Sequence, residues 1–286
     1  MKIIIAGLGL IGGSFARSIK KFTDHHVIGI DSDDASLDMA LAMEAIDEVI
    51  PVERMDLLKK GDIILVALPP HEIVNFILNN VENFRPGAIV TDVCGVKEYI
   101  LNAVAKPLHD ACVNFVGSHP MAGTEFSGFA FSNSNMFHGA SYLLTASEYT
   151  DSQSIDTLRD LAVNIGFQNV IVTDPETHDK AIAYTSQLAH IVSNSYIRST
   201  TLPKEKGFSA NSFLDMTRVA LLDPNTWSEL FILNKKNLIS EIDQLTEHIG
   251  ELRNAISAEN RDDIKKLLRK GRDLKVRNTM QRKTLV

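Results

Sequence analysis

Short, dense apolar runs recur through the first half of the chain: KIIIA (2–6), VIGI (27–30), DIILVAL (62–68), AIVTDV (88–93) and VNFVGS (113–118). They are brief and rich in β-branched residues, so each is predicted as a buried strand. Between them, 71–83 and 96–105 carry amphipathic helical spacing. Strands alternating with helices predict a parallel sheet built from right-handed βαβ crossovers. SYLLTA (141–146) and NVIVTD (169–174) extend the strand set. They flank a helix in which Ile155, Leu158, Leu161, Ala162 and Ile165 keep helical spacing.

After Thr173 the strand signals stop. Asp174-Pro175 supplies an N-cap followed by proline at the first helical position, and Asp223-Pro224 repeats that signature. From Pro224 an apolar stripe runs through Trp227, Leu230, Phe231, Leu238, Ile242, Leu245, Ile249, Leu252 and Ile256. One helix of that extent would span about 45 Å, longer than a small domain is wide, so it is expected to pack on a second subunit. The expected architecture is α/β: a Rossmann-type parallel-sheet domain over residues 1–175, then an all-helical substrate-binding domain over 176–286 that forms a homodimer.

Composition narrows the partners. The 286-residue chain is 44% hydrophobic and 23% charged, as soluble globular proteins are, and its net charge of −7 argues against nucleic acid or an anionic membrane as partner. The basic stretch from Lys265 to Lys283 reads as a solvated helix face running into a frayed tail. Cys94 and Cys112 are the only cysteines and lack metal-ligand spacing, which suits a reducing cytoplasm and implies no metal. The start, MKIIIAGLGLIGGSFA, has the outline of a signal peptide, but four glycines interrupt its apolar run. No later stretch has the ~18 uninterrupted apolar residues of a membrane span.

Those glycines carry chemistry. GLGLIGGS places Gly7, Gly9 and Gly12 in G-x-G-x-x-G spacing between a strand and a helix, and Asp31 closes the second strand nineteen residues later. The loop from Gly7 through Leu8, Gly9, Leu10, Ile11 and Gly12 would bring backbone N–H groups and the helix N-terminus to a pyrophosphate. Asp31, with Ser32 beside it, would accept from both ribose hydroxyls and repel a 2′-phosphate, favouring NAD over NADP. Leu68 and Pro69, at the end of the next central strand, would lie along the cofactor.

A second chemical stretch is GSHPMAGTEFSG (117–128). Pro120 fixes its own φ and pushes His119 towards an extended backbone, in a loop beyond the carboxyl end of a strand. A turn whose histidine caps a neighbour is the competing account. Further on, Arg218 lies three residues after Asp215 among Phe213, Leu214, Met216, Val219 and Leu221. A buried helix there would force the arginine onto an anionic partner, whereas a solvated one would hold only a local ion pair. Ser186, His190 and Asn194 form a polar stripe at helical spacing, with a satisfied core histidine as the plain alternative.

Taken in order, GLGLIGGS, TDVCGVK (91–97), GSHPMAGTE (117–125), the HD at 178–179, SQLAH (186–190) and FLDMTRVALLDPNTW (213–227) resemble the prephenate/arogenate dehydrogenase family, the TyrA-type enzymes of tyrosine biosynthesis. The resemblance implies oxidative decarboxylation of a cyclohexadienol, with hydride leaving ring C4 for NAD⁺ as CO₂ departs and the ring becomes a phenol. It implies that His119 bonds the 4-hydroxyl and draws off its proton. It also implies that Arg218 binds a substrate carboxylate, and that His190 and Asp215 shape and orient the pocket.

Some positions depart from the family pattern. Gly95 stands where many members carry a serine beside the nicotinamide and the substrate hydroxyl, leaving that bond to water or to the Cys94 thiol. Gln187 and Ala189 stand where histidine and proline are frequent. These changes bear on the choice among prephenate, arogenate or both. Two other accounts compete. A β-hydroxyacid dehydrogenase would need a lysine on a helix of the second domain, where 176–200 offers only Lys180. A dinucleotide-sensing module would bind the cofactor without turnover.

Overall fold

In the central strands, alternate residues face opposite sides of the sheet, and both sides are buried. Ile3, Ile5, Ile63 and Leu65 join one apolar cluster, while Ile4, Ala6, Ile64 and Val66 join the other. That is why these strands read as continuous apolar runs. The computed structural model describes residues 1–124 and 126–283. Glu125, the last residue of GSHPMAGTE, lies outside them, as do the final three positions.

The sheet holds eight strands: β1 (Lys2–Ala6), β2 (His26–Ile30), β3 (Glu48–Val49), β4 (Ile63–Val66), β5 (Ile89–Asp92), β6 (Asn114–Pro120), β7 (Ser141–Thr145) and β8 (Asn169–Thr173). Their order is β3-β2-β1-β4-β5-β6-β7-β8. Successive strands are laid outward from β1 to β3 on one side and from β4 to β6 on the other, and this switch between β1 and β4 creates the crevice where α/β proteins take their ligands. Helices α1 (Leu10–Phe22), α2 (Asp34–Ala42), α3 (Pro70–Asn79), α4 (Glu98–Asp110) and α5 (Ser152–Asn164) lie between strands.

The sheet is not wholly parallel. β6 and β7 pair antiparallel, with His119 opposite Leu143 and Pro120 opposite Tyr142. The cause is the connection: the described residues of 121–140 contain one short 3₁₀ turn, at Phe129–Phe131, and no α-helix to carry a crossover. The α5 crossover then returns β8 parallel to β7. Consequently His119 sits on a strand, inside a ladder, and not in the loop expected from its proline.

Past the sheet come α6 (Pro175–Ile182), α7 (Leu188–Ile197), α8 (Asn211–Thr217), α9 (Pro224–Leu233), α10 (Lys235–Ser257) and α11 (Arg261–Lys283). Asp174 and Asp223 cap α6 and α9, accepting from Thr177 N and Thr226 N at 2.8 Å each. The single long helix expected from Pro224 to Ile256 is broken at Asn234, whose backbone leaves the helical region (φ −106°, ψ 21°). Asn234 is 3% exposed, so its amide must find partners inside. It donates to Asp179 O and Gln187 Oε1, both at 2.8 Å, and a straight helix gives way to those bonds.

By compactness the chain divides into residues Met1–Lys235 and Lys236–Val286. The change from strands to helices near residue 175 therefore falls inside the first unit. The second unit consists of α10 and α11, and Ile249, Leu252, Arg253, Ile256 and Ser257 line a shallow groove on it. Among the described residues, no helix is long and apolar enough to cross a membrane.

Candidate active site

The glycine loop joins β1 to α1 at the crevice. A Cβ on Gly7 would fall 2.4 Å from Ala67 O, and one on Gly12 would fall 1.9 Å from Gly7 O, so neither position admits a side chain. Around Gly9 a Cβ would meet nothing, leaving open space over the first turn of α1, which no side chain caps. An exposed row of N–H groups with room above it is what a pyrophosphate requires. Leu8 is buried beneath the loop, while Leu10, Ile11 and Leu68 are half-buried and Ser32 and Pro69 exposed. Asp31 accepts from Leu8 N at 2.6 Å and from Asp33 N at 2.9 Å, one bond to each oxygen. A further lone pair on each oxygen remains for a diol. The cradle fits a dinucleotide.

Beyond the end of β6 opens a cavity of about 550 Å³, whose lining includes Gly95, His119, Thr124, Ser186, Gln187, His190, Arg218, Trp227 and Leu230. The structure thus gathers His119, His190, Arg218, Gly95 and Gln187 around one space, from β6, α7, the turn after α8, the turn after β5 and the turn before α7. Asp215 and Cys94 are not among its walls. Asp215 is exposed on α8 and forms no ion pair with Arg218 among the described residues. The buried setting expected for that helix is also absent: Leu214 is 58% and Leu221 77% exposed. Arg218 lines the cavity, and among the described residues its guanidinium pairs with no carboxylate.

His119 is held from behind. Its Nδ1 lies 3.0 Å from His178 Nε2, and His178 Nδ1 lies 2.7 Å from Asp179 Oδ1. Asp179 also accepts Lys97 N at 2.7 Å and Glu98 N at 3.0 Å, at the start of α4. Beneath β6, the fully buried Lys97 pairs with Asp92 and donates to Ser118 O at 2.6 Å. Asp92 accepts Cys94 N at 2.8 Å and Ser118 N at 3.2 Å, which ties β5 to β6. Burial, with the charge of His178 and Lys97, holds the His119 imidazole well below its usual pKa, so the ring is neutral at neutral pH. Burial lowers His178 as well, against the opposing pull of Asp179. The Cys94 thiol is pushed up to about 12 by burial and stays protonated.

On the facing wall, α6 and α7 are joined by a π turn over Ala183–Gln187, a distortion frequent at functional sites. It turns Gln187 inward, where its amide accepts from Asn234 and donates to Leu230 O at 3.4 Å. His190 Nδ1 donates to Ser186 O at 2.9 Å, leaving Nε2 as an acceptor, and the ring stacks on Trp227 with centroids 3.7 Å apart. Burial lowers the His190 pKa, and Arg218 adds to that shift. A Cβ built on Gly95 would have Leu230 as its nearest neighbour at 3.6 Å and His119 Cε1 at 3.9 Å, so the missing side chain leaves space beside the imidazole. His178, Asp179, Lys97, Trp227 and Asn234 escape reasoning from spacing. His178 and Asp179 enter the sequence reading only as the HD of the family resemblance.

The model for the prephenate dehydrogenase nucleotide-binding domain matches residues 15–188, and that for the prephenate dehydrogenase dimerization domain matches residues 174–270. Prephenate dehydrogenase of Bacillus subtilis (strain 168) is 29% identical over 282 residues, which cover 95% of this chain and 74% of the relative. Cyclohexadienyl dehydrogenase of Zymomonas mobilis is 29% identical over 269 residues, 91% of this chain and 90% of the relative. Among solved structures, prephenate dehydrogenase from Aquifex aeolicus in complex with hydroxyphenyl propionate and NAD⁺ superposes with a TM-score of 0.86 at 26% identity, covering 97% of this chain and 98% of that one. A nucleotide-binding sheet, a histidine and an arginine on one cavity beside it, and matches along most of the length converge: the chain belongs to the prephenate dehydrogenase family.

Proposed function

We propose that this protein catalyses the NAD-dependent oxidative decarboxylation of a cyclohexadienol in tyrosine biosynthesis, converting prephenate to 4-hydroxyphenylpyruvate, arogenate to tyrosine, or both. The observation that carries the proposal is a neutral imidazole and a guanidinium, His119 and Arg218, on one cavity at the carboxyl edge of a dinucleotide-binding sheet. Arg218 binds a carboxylate of the substrate. His119 Nε2 accepts the 4-hydroxyl proton as positive charge builds at C4, and returns it to the phenolate once CO₂ has left. The Gly7–Gly12 loop and Asp31 would hold NAD⁺, which would supply the hydride acceptor. His190 and Trp227 wall the opposite side and exclude water. The test is NADH formation from prephenate and from arogenate, each with NAD⁺ and with NADP⁺; no turnover of either would overturn the assignment.

Asp31 is assigned to the ribose. Asp31→Ala is expected to raise KM for NAD⁺ roughly tenfold, by removing hydrogen bonds to a charged acceptor, and to narrow the preference over NADP⁺. Comparing kcat/KM for the two cofactors checks this, and a wild-type enzyme that favours NADP⁺ would refute the role. Arg218→Gln removes a charge-assisted pair worth about 1.5–3 kcal/mol. KM for the cyclohexadienol should rise roughly ten- to a hundredfold with KM for NAD⁺ little changed. An unaltered substrate KM would release Arg218 from this role.

The residues after about 175 supply one wall of the substrate cavity and, in the same proposal, the dimer contact. The match to a dimerization domain supports a homodimer, as do the exposed apolar side chains of Ile232, Ile239, Ile249 and Ile256. Sedimentation at micromolar concentration should return twice the chain mass; a monomer there would contradict it. We place the enzyme in the cytoplasm, where the free thiols of Cys94 and Cys112 stay reduced.

A further inference from the structure

We propose that His178 and Asp179 form a positioning pair that fixes which nitrogen of His119 carries the proton. The inference rests on His119 being the base in the proposed reaction, and it begins with Asp179. Both carboxylate oxygens of Asp179 accept backbone N–H groups, from Lys97 and from Glu98, so at Oδ1 it can only accept from His178 Nδ1 as well. His178 is 2% exposed and carries its proton on Nδ1, which leaves Nε2 as an acceptor. The 3.0 Å contact then requires His119 Nδ1 to donate. With Nδ1 protonated, His119 presents the bare Nε2 lone pair to the cavity, the form a general base needs. A lone imidazole in water divides its proton between the two nitrogens. Here one carboxylate, anchored at the start of α4, dictates the tautomer through two rings.

The same chain acts as the reaction proceeds. When Nε2 takes the hydroxyl proton, the imidazolium keeps its Nδ1–H bond to His178. The Asp179 carboxylate lies behind that ring to offset the new charge, without itself taking a proton. The other charged groups around the pair are Lys97, which opposes the imidazolium, and Asp92, which is paired to Lys97. Asp179 is therefore the one carboxylate in hydrogen-bond contact with the histidine pair among the described residues. Neither His178 nor Asp179 is among the residues that line the cavity, so the role is positional.

Two variants of His178 separate this role from simple packing. His178→Leu fills the space and removes the acceptor; His178→Gln places an amide oxygen near the lost Nε2. The leucine variant is expected to lose roughly 10- to 100-fold in kcat with both KM values within about twofold, and the glutamine variant to recover most of that loss. The readout independent of turnover is ¹⁵N NMR of the histidine side chains. In the wild type, His119 should show a protonated Nδ1 and a bare Nε2, and in the leucine variant the two signals should move towards each other as tautomers mix. If the wild type carries the His119 proton on Nε2, or folded His178→Leu keeps full kcat, the proposal is overturned. An enzyme that turns over no cyclohexadienol would refute the assigned reaction, whereas the tautomer measurement judges the positioning pair by itself.

Discussion

His119→Asn should lower kcat by about 10²–10⁴ while moving either KM much less. The imidazole is worth most where the hydride is leaving and positive charge gathers on the hydroxyl-bearing carbon, and an interaction made mainly there is lost from kcat. Asparagine keeps a polar group on β6 but offers no basic nitrogen, and the ladder bonds to β7 are backbone bonds that survive the change. The pH dependence gives a second signature. Because burial first, and then His178 and Lys97, depress the His119 pKa, the neutral base persists below the ordinary imidazole range. The wild-type kcat should therefore hold its plateau into mildly acid solution and then fall as Nε2 takes a solvent proton. The variant should lack that limb. Steady-state NADH formation across pH measures both effects, and near-wild-type turnover in a folded variant would return GSHP to being only a strand end.

The largest effect on stability is expected at Lys97. Its ammonium and the Asp92 carboxylate are both wholly buried and paired, and Asp92 also holds Cys94 N and Ser118 N. Lys97→Met keeps the volume but leaves a carboxylate without its counter-charge in the middle of the fold. Breaking a buried pair from one side costs about 3–5 kcal/mol. That is a large share of the roughly 5–15 kcal/mol that holds a typical domain together. Urea unfolding should show the midpoint falling with the slope unchanged, and adding Asp92→Asn should restore part of the loss. A change under about 1 kcal/mol would mean that Asp92 is accommodated as the neutral acid once its partner is gone. Asp92→Asn alone should destabilise for the mirror reason, stranding the ammonium.

How much of this was visible in the chain follows from what each signal reports. The central strands of the sheet were legible because burial on both faces forces unbroken apolar runs, and the cofactor loop because Gly7 and Gly12 have no room for a Cβ. The short β3 carries no such run and went unread. The direction of β7 was not legible, since apolar spacing is the same for parallel and antiparallel strands; what decides it is the lack of an α-helix among the described residues of 121–140. The break at Asn234 was hidden for a related reason. An asparagine in an amphipathic stripe reads as solvent-facing until the partners waiting for it, Asp179 O and Gln187 Oε1, are known. Arg218 lines the cavity from the turn after a short, exposed helix, where its apolar neighbours in sequence suggest a buried one. Gln187 is inside as well, but its amide is committed to Asn234 and Leu230. The His119–His178 contact joins residues 59 apart in sequence, a distance over which no local pattern carries information.

The antiparallel annex of the sheet has a consequence for how the enzyme fails. The six strands β1 to β6 form a self-consistent parallel core, whereas β8 is the sheet's outer edge and its side chains are mostly uncovered. The residue that orders His119 hangs from that edge, on the first turns of α6, just after β8. Edges and their neighbours open at lower free energy than sheet centres do. Turnover therefore depends on a smaller cooperative block than the fold as a whole. Heat or denaturant that only loosens β8 and α6 will silence the protein while most of its architecture still stands.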